Sequence, residues 1–128
     1  AGLPERPEYV VGVSEYSRSA GRDAMASLLR LPEPPDAVFC FNDVMAIGAL
    51  RACADAGVEV PKQVAIAGFD DIPEGEFSTP SLTTIRPDLD TLVEGMLDNL
   101  LGQVQGRDER PTAPVGWELV VRESAPHR

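Results

Sequence analysis

Two short stretches, AVFCF at residues 37–41 and VAIAGF at 64–69, constrain the fold more than anything else in the chain. Both are nearly continuous apolar runs, the pattern of parallel strands covered on both faces rather than of a half-exposed sheet. Three further β-prone runs accompany them: YVVGV at 9–13, LTTIR at 82–86 and WELVVR at 117–122. Helical rhythms lie between. Residues 19–31 carry Ala20, Ala24, Met25, Leu28 and Leu31 on one face, with Ser17 or Ser19 as N-cap. Residues 44–56 start behind Asn42 or Asp43 and stop at Gly57. Residues 89–105 repeat Leu89, Leu92, Val93, Met96, Leu97, Leu100, Leu101 and Val104 at i, i+3, i+4, i+7 spacing and end at Gly106. Pro-rich loops are expected at LPEPPDA and RPTAPVG. Strand, helix, strand, helix, strand predicts right-handed βαβ units: an α/β fold with an open, mostly parallel sheet flanked by helices.

Composition narrows the functional classes. The 128 residues suffice for one domain with a real core, and 43% hydrophobic with 25% charged residues is a globular balance. Eleven basic against twenty-one acidic residues give a net charge of −10, which repels phosphate backbones, so the chain itself is not expected to grip nucleic acid. No apolar run approaches the roughly 20 residues needed to span a bilayer. The polar, Pro-rich start reads as a chain entering a domain partway through something larger. Cys40 and Cys53 form no CxxC, and His127 is the single histidine, so no metal site is expected. Two buried thiols fit a reducing compartment.

In open α/β sheets, ligands bind beyond the carboxyl ends of the strands. Three such ends are legible: SEYS presents Glu15 and Tyr16, FND presents Asn42 and Asp43, and FDD presents Asp70 and Asp71. An aromatic, an amide and several carboxylates suit a small polyhydroxylated or heterocyclic ligand. Each has a plainer reading. N-capping alone explains one of Asn42 and Asp43, with Asp43 the better fit to that role. Either Asp70 or Asp71 could shape an Asx turn. Asp70 is favoured as the ligand residue because it leaves the buried strand first, and Asp71 as a loop-shaping acceptor. Tyr16 is equally at home on a surface.

Enzymatic readings have little support. There is no GxSxG elbow, P-loop, GxGxxG or triad histidine. Magnesium-dependent phosphoryl-transfer aspartates and phosphoacceptor receiver domains both need a lysine near the acids. The single lysine, Lys62, enters the third strand from the opposite edge, and Arg86 does not replace a point-charge lysine. No cofactor is expected.

The blocks FNDVMAIGALRACADAG, VAIAGFDD and PSLTTIR, within a match running from SEYSRSAGRDAMASLL to LVVRES, resemble the C-terminal part of regulators of the LacI/GalR family. The effector domain of these regulators is similar to periplasmic sugar-binding proteins. The resemblance implies an effector-binding, non-enzymatic module of a cytoplasmic transcription regulator. Its effector is a sugar or similar metabolite held between two lobes, and operator DNA is contacted only through a separate N-terminal helix-turn-helix. The alternative is a periplasmic sugar-binding receptor of the same fold. By resemblance Asp70, Asn42 and Tyr16 contact the effector, and Leu89 lines the cleft where an aromatic is more usual.

The resemblance also divides the chain into residues 1–88 of the C-terminal lobe, a helix and loop at 89–116 belonging to the N-terminal lobe, and a returning strand and tail at 117–128. The apolar face of helix 89–105 then needs a partner, because burying each large aliphatic side chain is worth about 1.5–3 kcal/mol. It is expected to pack on another chain or fold back across this lobe. The middle helix is apolar on two sides, Met45, Ala49, Ala52 and Ala56 on one and Ile47, Leu50 and Ala54 on the other. Ordinary core packing explains this, as does a homodimer interface formed by Ile47, Leu50 and Phe77.

Overall fold

The computed structural model describes residues 6–107 and 115–126. Most of the RPTAPVG loop, and His127, lie outside the described residues. A 3-10 turn, Pro7–Tyr9, precedes α1 (Arg18–Leu28), β1 (Ala37–Phe39), α2 (Asp43–Ala56), β2 (Ala65–Phe69), the short α3 (Pro73–Glu76), β3 (Thr83–Pro87), α4 (Leu89–Val104) and β4 (Trp117–Val120). The four strands form one sheet in the order β1-β2-β3-β4, parallel at β1–β2 and β2–β3 and antiparallel at β3–β4. This is the mostly parallel open sheet that the apolar runs predict.

Local signals account for the helix boundaries. Ser17 caps α1, its hydroxyl accepting from the amide of Ala20 at 3.1 Å. Gly57 closes α2 in the left-handed conformation, φ 68°, which favours a residue without Cβ. Asp88 caps α4 by accepting from the Thr91 amide and hydroxyl, and Gly106, φ 76°, follows the helix end.

The core lies between α1, α2 and the sheet. Met25 and Leu28 of α1 meet Met45, Ala46, Ala49, Leu50, Ala52 and Cys53 of α2, over Val64, Ile66 and Leu82. Two glycines let α1 and α2 approach closely. A Cβ on Gly48 would strike the backbone oxygen of Arg18, and one on Gly21 would strike that of Met45. Burial pushes the Cys40 and Cys53 thiols up to about 12 and about 11, so both remain protonated.

Ser124 joins the parallel and antiparallel parts of the sheet. Its buried hydroxyl donates to the Ile66 carbonyl at 2.6 Å and accepts from the Thr83 amide at 2.8 Å. Its backbone carbonyl accepts from the Ile66 amide and its backbone amide donates to the Ser81 carbonyl.

Four expectations need correction. Residues 9–13 form no strand. Pro7 opens a 3-10 turn closed by the Val10 amide, and side chains tie the segment to the loop before β1, Tyr9 and Arg6 both reaching Glu33. The sheet is not covered on both faces by the described residues, since Phe39 is 61% exposed and β2 alternates buried Ile66 and Gly68 with half-buried neighbours. Leu50 is buried in the core, so it is not available to a second chain, and Ile47 is half-buried against the same cluster. Finally, α4 does not fold back across the lobe: Val93, Met96, Leu97, Leu100 and Leu101 are all more than half exposed.

The α1–α2 crossing generates a test. Gly48→Ala should lower the unfolding free energy by about 1–3 kcal/mol, because the added methyl meets backbone and not a yielding side chain. Urea denaturation checks this, and unchanged stability would show that the helices are not held this close.

Candidate functional site

The ends of β2 and β3 and the start of β4 enclose an open cavity of about 660 Å³, lined by Asp70, Asp71, Arg86, Leu89 and Trp117 among others. It lies beyond the carboxyl ends of parallel strands, where α/β sheets place ligands. The geometry is set first by the turn that leaves β2. Asp70 and Asp71 both have positive φ, 113° and 55°, a conformation costly for residues with side chains unless the surroundings hold it.

Three sets of hydrogen bonds hold it. The Asp70 amide donates to the Ile85 carbonyl of β3 at 2.9 Å. The Asp71 carboxylate accepts from Arg86 Nε at 2.6 Å and from Arg122 Nη2 at 2.8 Å. Asp43, fully buried at the first turn of α2, accepts from the Thr84 hydroxyl at 2.6 Å and from the Ile72 amide at 3.0 Å.

The two acids at the turn are therefore chemically different. Burial raises the Asp71 carboxyl, but hydrogen bonds and charge from Arg122 and Arg86 outweigh it and hold the group below the usual carboxylate range. Partial desolvation instead raises Asp70, whose carboxylate makes no hydrogen bond or ion pair among the described residues. Asp71 is occupied by structure. Asp70 is the acceptor left facing the cavity.

The sequence-derived residues separate into groups. Asp70, Asp71 and Leu89 come together in this cavity. Tyr16 does not join them. It stacks on Phe41, with ring centroids 5.0 Å apart and planes 15° apart, in a second groove along β1 with Phe39 and Val10. The capping assignment is reversed: Asn42 is the cap of α2, accepting from the Met45 amide at 2.9 Å. Asp43 caps nothing and instead pins the turn after β2, as burial raises its carboxyl and the Thr84 and Ile72 hydrogen bonds offset part of that rise. The cap uses one lone pair of the Asn42 carbonyl oxygen and leaves its NH₂ group without a partner among the described residues.

Residue-type reasoning missed Arg86, Arg122 and Trp117 as parts of the site. Trp117, the single tryptophan, is 71% exposed at the cavity rim. Its place opening an apolar strand run is the one signal that pointed to it. Phe41 stood in the same FND block as Asn42, yet its pairing with Tyr16 depends on the fold.

Comparison with known proteins identifies the family and the fold. Residues 1–125 match the periplasmic binding protein-like domain. The HTH-type transcriptional repressor CytR of Escherichia coli strain K12 is 44% identical over 127 residues, which cover 96% of this chain and 36% of CytR. The chain thus spans about a third of the length of the curated relatives it matches. A solved structure described as a LacI-family transcriptional regulator, from Sanguibacter keddieii, superposes with a TM-score of 0.85 at 41% identity, covering 96% of this chain and 46% of that one. The transcriptional regulator CelR, in complex with cellobiose, superposes with a TM-score of 0.82 at 31% identity, covering 94% and 37%. The chain belongs to the periplasmic binding protein-like domain family, in the form carried by LacI-type transcriptional regulators.

Proposed function

We propose that this chain is the C-terminal part of the effector-binding domain of a cytoplasmic, dimeric transcription regulator, a binding module rather than an enzyme. Asp70 is its main polar anchor for a sugar-like metabolite. The observation that carries the reading is the contrast at the β2 exit: Asp71 is clamped by two guanidinium groups while Asp70 presents to the cavity a carboxylate with no partner among the described residues. Leu89 and Trp117 supply the apolar surface on which a ring can rest. The structure of the regulator CelR in complex with cellobiose supports a sugar as the ligand class. Operator DNA is contacted elsewhere in the regulator, consistent with a net charge of −10 here.

The lobe division proposed from the sequence supplies the mechanism. Residues 1–88 belong to one lobe, the helix and loop at 89–116 to the other, whose surface covers the apolar face of α4, and residues 117–128 are the returning strand and tail. An effector that binds the closed arrangement better than the open one shifts the population toward it, and the change reaches the DNA-binding heads. Phe77, 82% exposed beside α3, is the interface residue of the homodimer, with Ile47 contributing its half-exposed edge.

Three measurements test this reading. In the intact regulator, Asp70→Ala should weaken effector binding at least tenfold while the thermal unfolding midpoint stays within about 2 °C; calorimetric titration with unchanged affinity would refute the anchor. Asp71→Asn should instead destabilise the fold by about 1–2 kcal/mol, discounted because Arg86 is half exposed and its share is screened. The folded-state pKa of Asp71 is depressed, so its stabilisation is complete above the unfolded value near 4 and is lost as pH falls through the folded value. Stability of the wild type should therefore fall on acidification below about pH 4 more steeply than that of Asp71→Asn, as read by denaturation at several pH values. Phe77→Asp should convert the dimer to monomer in sedimentation experiments, and unaltered sedimentation would remove Phe77 from the interface.

A further inference from the structure

The cavity that holds Asp70 has an unusual charge balance. Among the described residues, five carboxylates line it, those of Asp70, Asp71, Asp88, Asp90 and Glu118, against one basic side chain, Arg86. That guanidinium is already engaged on both sides, with Nε on Asp71 at 2.6 Å and Nη1 on Glu118 at 3.0 Å. Asp88 is turned to α4, where both its oxygens accept from Thr91. Asp70 and Asp90 have no cation among the described residues. No group of three acids among the described residues converges as a metal site.

An anion entering the cavity would meet net negative charge on mostly solvent-exposed side chains, a repulsion that salt screens. Among the described residues that line the cavity, it would also find no unoccupied guanidinium to receive it. A hydroxyl, amino or ring N–H group meets the opposite situation, since unpaired carboxylate oxygens are acceptors only.

From this we infer that the site selects an effector carrying no net negative charge and rejects phosphorylated or acidic analogues of the same molecule. The inference rests on the effector-site reading above and adds a charge class to it. The carboxylates set this by field rather than by fit, so the rejection is electrostatic and weakens as salt screens it.

The test is a charge series on a constant framework, titrated into the intact regulator by calorimetry. Glucosamine, glucose, glucuronate and glucose 6-phosphate form one series; adenosine and adenosine 5′-monophosphate form another. Whichever framework binds, its anionic members should bind about tenfold or more weakly than the uncharged member, and the gap should narrow between 20 and 500 mM salt on the order expected for screening. An anionic member that binds as tightly as the uncharged one, and loses affinity in Asp70→Ala, would overturn the charge class while leaving the Asp70 site standing. A gap that does not respond to salt would also overturn it, because rejection would then be steric. Binding that is indifferent to Asp70→Ala, or absent throughout both series, would overturn the effector-site reading and this inference with it.

Discussion

The buried carboxylate of Asp43 organises the functional edge of this domain. A charge withdrawn from water is tolerated only where donors meet it, and here the donors come from two other elements, the Thr84 hydroxyl of β3 and the Ile72 amide after β2. One side chain at the start of α2 thereby fixes the distance between a helix, a strand and a loop. The arrangement also explains Gly68: a Cβ there would collide with Asp43 Oδ1, so β2 must pass this point without a side chain. The turn beyond it then has its conformation imposed from both ends.

That imposed turn is what differentiates two adjacent, chemically identical residues. Both Asp70 and Asp71 adopt positive φ. Their side chains diverge, one into the arms of Arg86 and Arg122, the other toward the cavity. The guanidinium pair does more than neutralise a charge. Arg122 also donates to the Leu82 carbonyl at 2.8 Å, so the segment following β4 is tied to the start of β3 and to the β2 exit together. Site geometry and sheet closure thus depend on the same contacts, and preorganisation of the binding edge comes from the fold itself.

The apolar surface follows a different logic. Around α1, α2 and the inner face of the sheet, the chain buries its own hydrophobic residues with glycines at the closest approach. Along α4 and on the outer face of β1 it does not, and Met96, Val104, Phe39 and Phe41 are each more than 60% exposed. The reason is geometric. A helix that leaves β3 and returns through β4 has no second layer among the described residues to lie against, whatever the regularity of its heptad-like face.

Much was legible in the residues alone, and the exceptions are instructive. Helix α4 was readable because an unbroken 3.6-residue rhythm survives any environment, and α2 because an Asn cap and a Gly stop bracket it. Strands β1 and β2 were readable because continuous apolar runs have few other uses. The run at 9–13 has the same composition, yet it is no strand, since pairing is a property of two segments and side-chain ties to Glu33 hold this one elsewhere. Sequence likewise placed acids at strand ends but could not apportion them. Which of Asn42 and Asp43 caps, which of Asp70 and Asp71 is clamped, and that Tyr16 pairs with Phe41 rather than joining the acids are all decided by contacts between residues far apart in the chain. Local periodicity and composition determine what each segment can become. Only tertiary structure, by bringing Thr84, Arg86 and Arg122 to the β2 exit, decides which polar group is consumed in holding the fold and which is left to meet a ligand.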